Sequence, residues 1–313
     1  MAYGPDTDEL LRRIANATTY LDVTGLSITS LPDLPDELQQ LDCRATQITS
    51  LPALPVGLLT LYCYDTPLTS LPELPAGLEE LECNNTRITS LPNLPAKLQK
   101  LYCARTQITS LPPLPAGLQI LSCHNTQITT LPALPAGLEV LRCSDTQITT
   151  LPNLPPGLED LDCNNTSLTS LPDLPDRLEL LHCYSTQVTS LPNLPDRLRF
   201  LSCSHTPLLS LPDLPVGLQG LHCPFTQITV LPELPVGLVN IECYATPLLI
   251  QRIEGESIKD YNQRWNEWRS RKRSVERTKV LAEDLIAATW HPDRFERWCL
   301  DEEEKKENDT IMG

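Results

Sequence analysis

The chain has 313 residues, with 24 Lys/Arg against 40 Asp/Glu for a formal charge of −16, and only 5% aromatic residues. That acidity argues against a general ligand for nucleic acid or anionic lipid, because neutralising phosphate takes clustered cations. The charge is uneven: residues 1–250 hold 11 Lys/Arg and 25 Asp/Glu, net −14, whereas residues 251–313 hold 13 and 15.

Residues 1–20 predict a short capping helix. Thr7 followed by Glu9 gives an N-cap-like start, and Leu10, Leu11 and Ile14 form an apolar stripe. The opening MAYGPDTDELLRRIANA has acids where a leader would carry an apolar core, and no run approaches the ~18 apolar residues of a membrane span. A soluble protein without a classical leader is expected.

Residues 21–250 repeat. The 20-residue unit LPDLPDELQQLDCRATQITS at Leu31–Ser50 recurs eleven times to Ile250 without insertion or deletion, after a half-unit at Leu21–Ser30. A strict period of this length marks a solenoid, in which no unit buries its apolar face alone. Leu41 and Cys43 alternate with variable residues, the period of a short strand with one face inward. Stacking these units predicts a parallel sheet of about twelve strands, ~50 Å long at ~4.8 Å per strand. Two prolines per unit, first at Pro32 and Pro35, exclude a helix on the return half and favour an extended, polyproline-like convex side. The expected class is an α/β-type repeat solenoid with helical caps at both ends.

Eleven of the twelve cysteines, Cys43 to Cys243, occupy one repeat position, and Val23 fills it in the half-unit. The slot therefore suits a small apolar side chain, which a buried free Cys resembles. An odd column without C-x-x-C pairs fits neither a disulfide framework nor zinc. Free thiols predict a reducing, cytoplasmic compartment, that of a host cell if the protein is exported or viral. A second column, Thr46 to Thr246, places hydroxyls where they can bond the turn backbone. The sequons at Asn84 and Asn164 need no function.

The unit LPxLPxxLxxLxCxxTxITS resembles the short leucine-rich repeat of YopM-type and IpaH-type bacterial effectors from Leu21 to about Pro247, with Cys for their aliphatic strand residue and Thr for their usual Asn. More distantly, the chain is similar to repeat proteins of giant DNA viruses. The resemblance implies a leucine-rich-repeat solenoid that binds proteins.

Residues 251–313 hold all four tryptophans, Trp265, Trp268, Trp290 and Trp298. Ser257 with Asp260 resembles a capping box, and Ile258, Tyr261, Trp265, Trp268 and Val275 follow helical spacing, predicting a helix to about Ala288 and a second over Arg294–Glu304. Seven cations against two acids lie over Arg264–Lys279, a pattern read as a helix whose tryptophans seal the last repeat. His291-Pro292-Asp293 matches the J-domain tripeptide but lacks the helical hairpin around it. IpaH-type ligases place their nucleophile in a Cys-x-Asp motif, as at Cys299-Leu300-Asp301. Here the neighbouring Asp301, Glu302, Glu303 and Glu304 disfavour a thiolate, and 63 residues are too few for that domain.

Candidate binding residues are the aromatics and histidines at outward strand positions: Tyr62, Tyr64 and Tyr102 in one patch, and His182, Tyr184, Phe200, His205, His222, Phe225 and Tyr244 in a denser one. Tyrosine gives contact area at low entropic cost. His182 and His222 stand two strands apart, ~10 Å, too far for a tetrahedral metal site. Glu80 and Glu82 lack a buried setting that would part their pKa values for acid–base work. The expected function is a non-enzymatic protein-binding scaffold with no cofactor or metal, whose protein partner bears a basic surface and is neither nucleic acid nor membrane. The alternative is a substrate-recognition adaptor or truncated ligase effector acting through the tail.

Overall fold

The computed structural model describes residues 3–248 and 257–275. Helix α1 (Thr7–Asn16) precedes twelve three-residue strands that recur every 20 residues, from β1 (Tyr20–Asp22) and β2 (Gln40–Asp42) to β12 (Asn240–Glu242), and helix α2 (Ile258–Val275) follows. The strands form one parallel sheet in strict sequence order, each residue paired with the one 20 positions on. No helix interrupts the proline-bearing return segments, which run extended as their composition requires. The tail motifs at His291–Asp293 and Cys299–Asp301, the end of the first tail helix and the second one all lie outside the described residues.

The core is a stack of columns. In the first full unit Leu38, Leu41, Cys43 and Ile48 are completely buried, and their equivalents are buried in every full unit. Each fully buried Leu or Ile contributes roughly 1.5–3 kcal/mol, available only because the next unit covers it. All eleven thiols Cys43–Cys243 are free and buried.

The turn after each strand explains the threonine column. The residue before each Thr, from Ala45 to Ala245, has φ between 51° and 55°, and Gly25 takes that place in the half-unit with φ 69°. This left-handed residue swings the Thr hydroxyl back onto its own turn. Thr46 donates to the Cys43 carbonyl at 2.7 Å, and the ten equivalents do the same. In the half-unit, where Leu26 replaces Thr, the Leu26 N–H takes the Val23 carbonyl instead, at 3.2 Å. No carbonyl at this buried corner is stranded.

At the N-terminal end Leu10 is buried, but Leu11 is exposed and Thr7 is already helical. The cap residue is Asp6, whose carboxylate accepts from the Ser27 N–H at 2.7 Å and so ties the helix to the first turn. At the other end Ser257 caps α2 by accepting from the Asp260 N–H at 3.1 Å. Tyr261 and Trp265 are fully buried, and the Trp265 indole N–H donates to the Pro232 carbonyl at 3.3 Å. Tyr261 stands with its hydroxyl 3.7 Å from the Cys243 sulfur, the last thiol of the column.

Candidate functional site

With Leu and Cys turned inward, the side chains between them line the opposite face of the sheet. The C-terminal third of that face resolves the expected aromatic cluster into two rows and one separate residue. On the strands, Phe200 lies between His182 and His222, with ring centres 5.2 and 4.7 Å away. His222 extends this row to Asn240, 2.7 Å from its Nε2, and to Glu242 at 4.0 Å. His182, Phe200 and Asn240 of this row, with Leu180, Arg199, Gln219 and Gly220, line a shallow recess of about 450 Å³.

The second row is not on the strands. His205 and Phe225 occupy the left-handed turn position, where they stack at 4.3 Å, and Phe225 meets Tyr244 edge-on at 5.6 Å. Phe225 is 48% exposed and Tyr244 57%, so the rings add little to the core. Tyr184 joins neither row and makes no ring contact among the described residues. Burial, and then the charges of Asp162 and Asp145, raise its phenol above the usual range.

The N-terminal tyrosines also divide. Tyr64 is engaged by Arg44, whose guanidinium lies 5.4 Å from its ring centre. Tyr62 and Tyr102 instead flank Glu82 in direct register. The expectation for Glu80 and Glu82 is corrected here. Glu80 is paired with Lys100 at 3.2 Å, while burial raises the Glu82 carboxyl above its ordinary value, so the two carboxylates do stand in different settings. They are still solvent-lined residues of an open face, without a cleft for a substrate.

Several determinants were not evident from the sequence. Gly220 is the single glycine at its strand position, and Phe200 fills the space above it. Asn84 and Asn164 accept from the next unit's N–H groups at Ala104 and Tyr184, at 2.7 and 3.2 Å, which occupies these two side chains structurally. Among the described residues no group of His, Cys, Asp and Glu has the geometry for a metal, and no helix is long and apolar enough to cross a membrane.

The family described as "Leucine Rich repeats (2 copies)" matches residues 96–136. In solved structures, YopM from Yersinia enterocolitica superposes with a TM-score of 0.61 at 30% identity, over 73% of this chain and 60% of that one. By fold the chain is a leucine-rich repeat solenoid with 20-residue units, similar to bacterial effectors of that kind. YopM from Yersinia pestis aligns at 26% identity and a TM-score of 0.52, over 83% of this chain and 93% of its own. The functional domain of InlJ from Listeria monocytogenes, which has a cysteine ladder, gives 0.66 at 29% identity, over 72% of this chain and 53% of that one. This leucine-rich repeat chain thus spans less than two thirds of two of those three relatives. Comparison with curated proteins gives no match. The buried thiol column of this chain is likewise a cysteine ladder.

Proposed function

We propose that the chain is a non-enzymatic scaffold that binds a protein partner along the sheet face, anchored on the rows His182–Phe200–His222 and His205–Phe225–Tyr244. One observation carries this reading. A bulky ring at positive φ costs roughly 1–3 kcal/mol, and Asn or Asp serves the same turn in five other units. Phe225 meets that cost at an exposed position where its contribution to folding is small. Strain of this kind persists where contact with something else selects the side chain.

The net charge of −14 over residues 1–250 favours a partner with a basic surface. Free thiols in this number suit a reducing compartment, and a cytoplasmic site of action is part of the proposal. YopM from Yersinia pestis is described as a leucine-rich effector protein, and an effector-like role follows by similarity. The test replaces Phe200, His205, His222, Phe225 and Tyr244 with serine. Capture of the partner should be lost while the melting curve is kept, and capture at native level would overturn the proposal.

A further inference from the structure

The N-terminal third of the sheet face contains a worked example of how this surface holds a cation. The Arg44 Nε lies 3.2 Å from an Asp42 carboxylate oxygen, and its guanidinium sits over the Tyr64 ring and donates to the Tyr64 hydroxyl. The acid occupies the last strand position, the cation follows two residues later, and the tyrosine is the cation's equivalent one unit on.

Two units along, the same three positions read Glu82, Asn84 and Ala104. The carboxylate is retained, but an amide and a methyl group replace the guanidinium and the ring. Asn84 donates to Glu82 at 3.2 Å and spends its oxygen on the Ala104 N–H. Lys100, on the next strand, is held by Glu80 at 3.2 Å. Among the described residues no cation pairs with Glu82.

Two aromatic side chains flank it, with the Lys100 charge acting on both phenols and Tyr62 hydrogen-bonded to Glu80. Tyr62 and Tyr102 face Glu82 from the two adjacent strands, which are ~9.6 Å apart. A cation above Glu82 is within reach of both, since attraction to an aromatic face extends to ~6 Å from the ring centre. Burial raises the Glu82 carboxyl; the Asn84 hydrogen bond and the more distant Arg44 charge oppose the rise, while Glu80 and Asp42 add to it. An arriving cation relieves that penalty. A guanidinium fits better than an ammonium, because its planar fork can bond the carboxylate while its faces meet the rings.

We propose that Tyr62, Glu82 and Tyr102 form a binding site for an arginine side chain of the protein partner. The site rests on the reading of the sheet face as a binding surface, but it lies in different units from the aromatic rows and is tested separately. The full chain, with its tyrosine rings labelled with carbon-13, is titrated by NMR with the tripeptide acetyl-Gly-Arg-Gly-amide and with its neutral citrulline counterpart. Signals are assigned with Tyr62→Phe and Tyr102→Phe.

The Tyr62 and Tyr102 signals should shift saturably with the arginine peptide. Binding should be weakened at least about tenfold for citrulline, for Glu82→Gln and for Tyr102→Ser, and unchanged in Val216→Ser, a change at an exposed position outside both sites. Equal shifts with citrulline, an unaffected Glu82→Gln, or a parallel drift of all tyrosine signals would overturn the site, the last by showing only diffuse attraction to an acidic surface. If the five-serine variant loses its partner yet still takes the arginine peptide, both readings stand. If it loses its partner and the native chain never takes the peptide, only this inference falls.

Discussion

The Cδ2–Cε2 edge of the Phe200 ring stands over Gly220, so close that a β-carbon on Gly220 would overlap it. No side chain can be added there without moving the ring. Gly220→Ala should therefore lift Phe200 from between His182 and His222 and close part of the recess. Partner affinity should fall about tenfold, with a stability change below ~1 kcal/mol because the site is on the open face. Titration calorimetry beside thermal melting checks both, and an unchanged affinity would remove Phe200 from the anchoring surface.

The thiol column makes stability steeply dependent on alkaline pH. Burial pushes Cys43, Cys83, Cys123 and Cys183 from the ordinary 9.0 up to about 12. Cys63, Cys103, Cys143, Cys163, Cys203 and Cys223 are also raised, again mainly by burial. The folded state then binds more protons than the unfolded one once pH exceeds 9, so stability is full below that value and falls as pH rises toward 12. Each thiol that stays protonated in the folded chain adds about 1.4 kcal/mol per pH unit to that loss while pH lies between its unfolded and folded values, and the column holds many such thiols. Circular dichroism against pH should show cooperative unfolding within about one to two units above pH 9, and Cys123→Ala with Cys143→Ala should make it shallower. A fold that survives to pH 11 would contradict the column.

Each turn depends on its threonine hydroxyl. Thr126 is buried and donates to the Cys123 carbonyl at 2.7 Å. Thr126→Val keeps the shape and removes the donor, leaving a buried carbonyl without that bond. Urea denaturation should show a loss of ~1–3 kcal/mol, whereas Thr126→Ser should lose less. A Val variant as stable as the native chain would mean that another donor replaces the hydroxyl.

The sequence displayed the fold almost completely because each structural requirement is repeated. A Leu or Cys needed inward at one turn is needed at every turn, so columns such as Cys43–Cys243 and Thr46–Thr246 stand out from the variable residues between them. The left-handed turn was also legible, in a position that is Gly25 once and Asn or Asp five times. Phe225 and His205 occupy it as well, and in sequence alone they read as strand residues. What periodicity could not convey is anything that depends on one pair alone. The fit of Phe200 over Gly220, the pairing of Lys100 with Glu80 that leaves Glu82 apart, and the bond from Asn84 to Ala104 each join positions that vary from unit to unit. Their side-chain directions follow from packing rather than from pattern.

The central claim is that the exposed rings of the last units exist for a partner and not for the fold. Phe225→Asn tests it most directly, because Asn125 and Asn165 already serve this turn with the same backbone. Relief of the strained turn should offset the lost ring contacts, leaving the unfolding free energy within ~1 kcal/mol of native. Affinity for the partner should fall at least about tenfold. Native affinity in the variant, or a loss of ~3–5 kcal/mol in stability as for a buried aromatic, would show that Phe225 serves the solenoid itself.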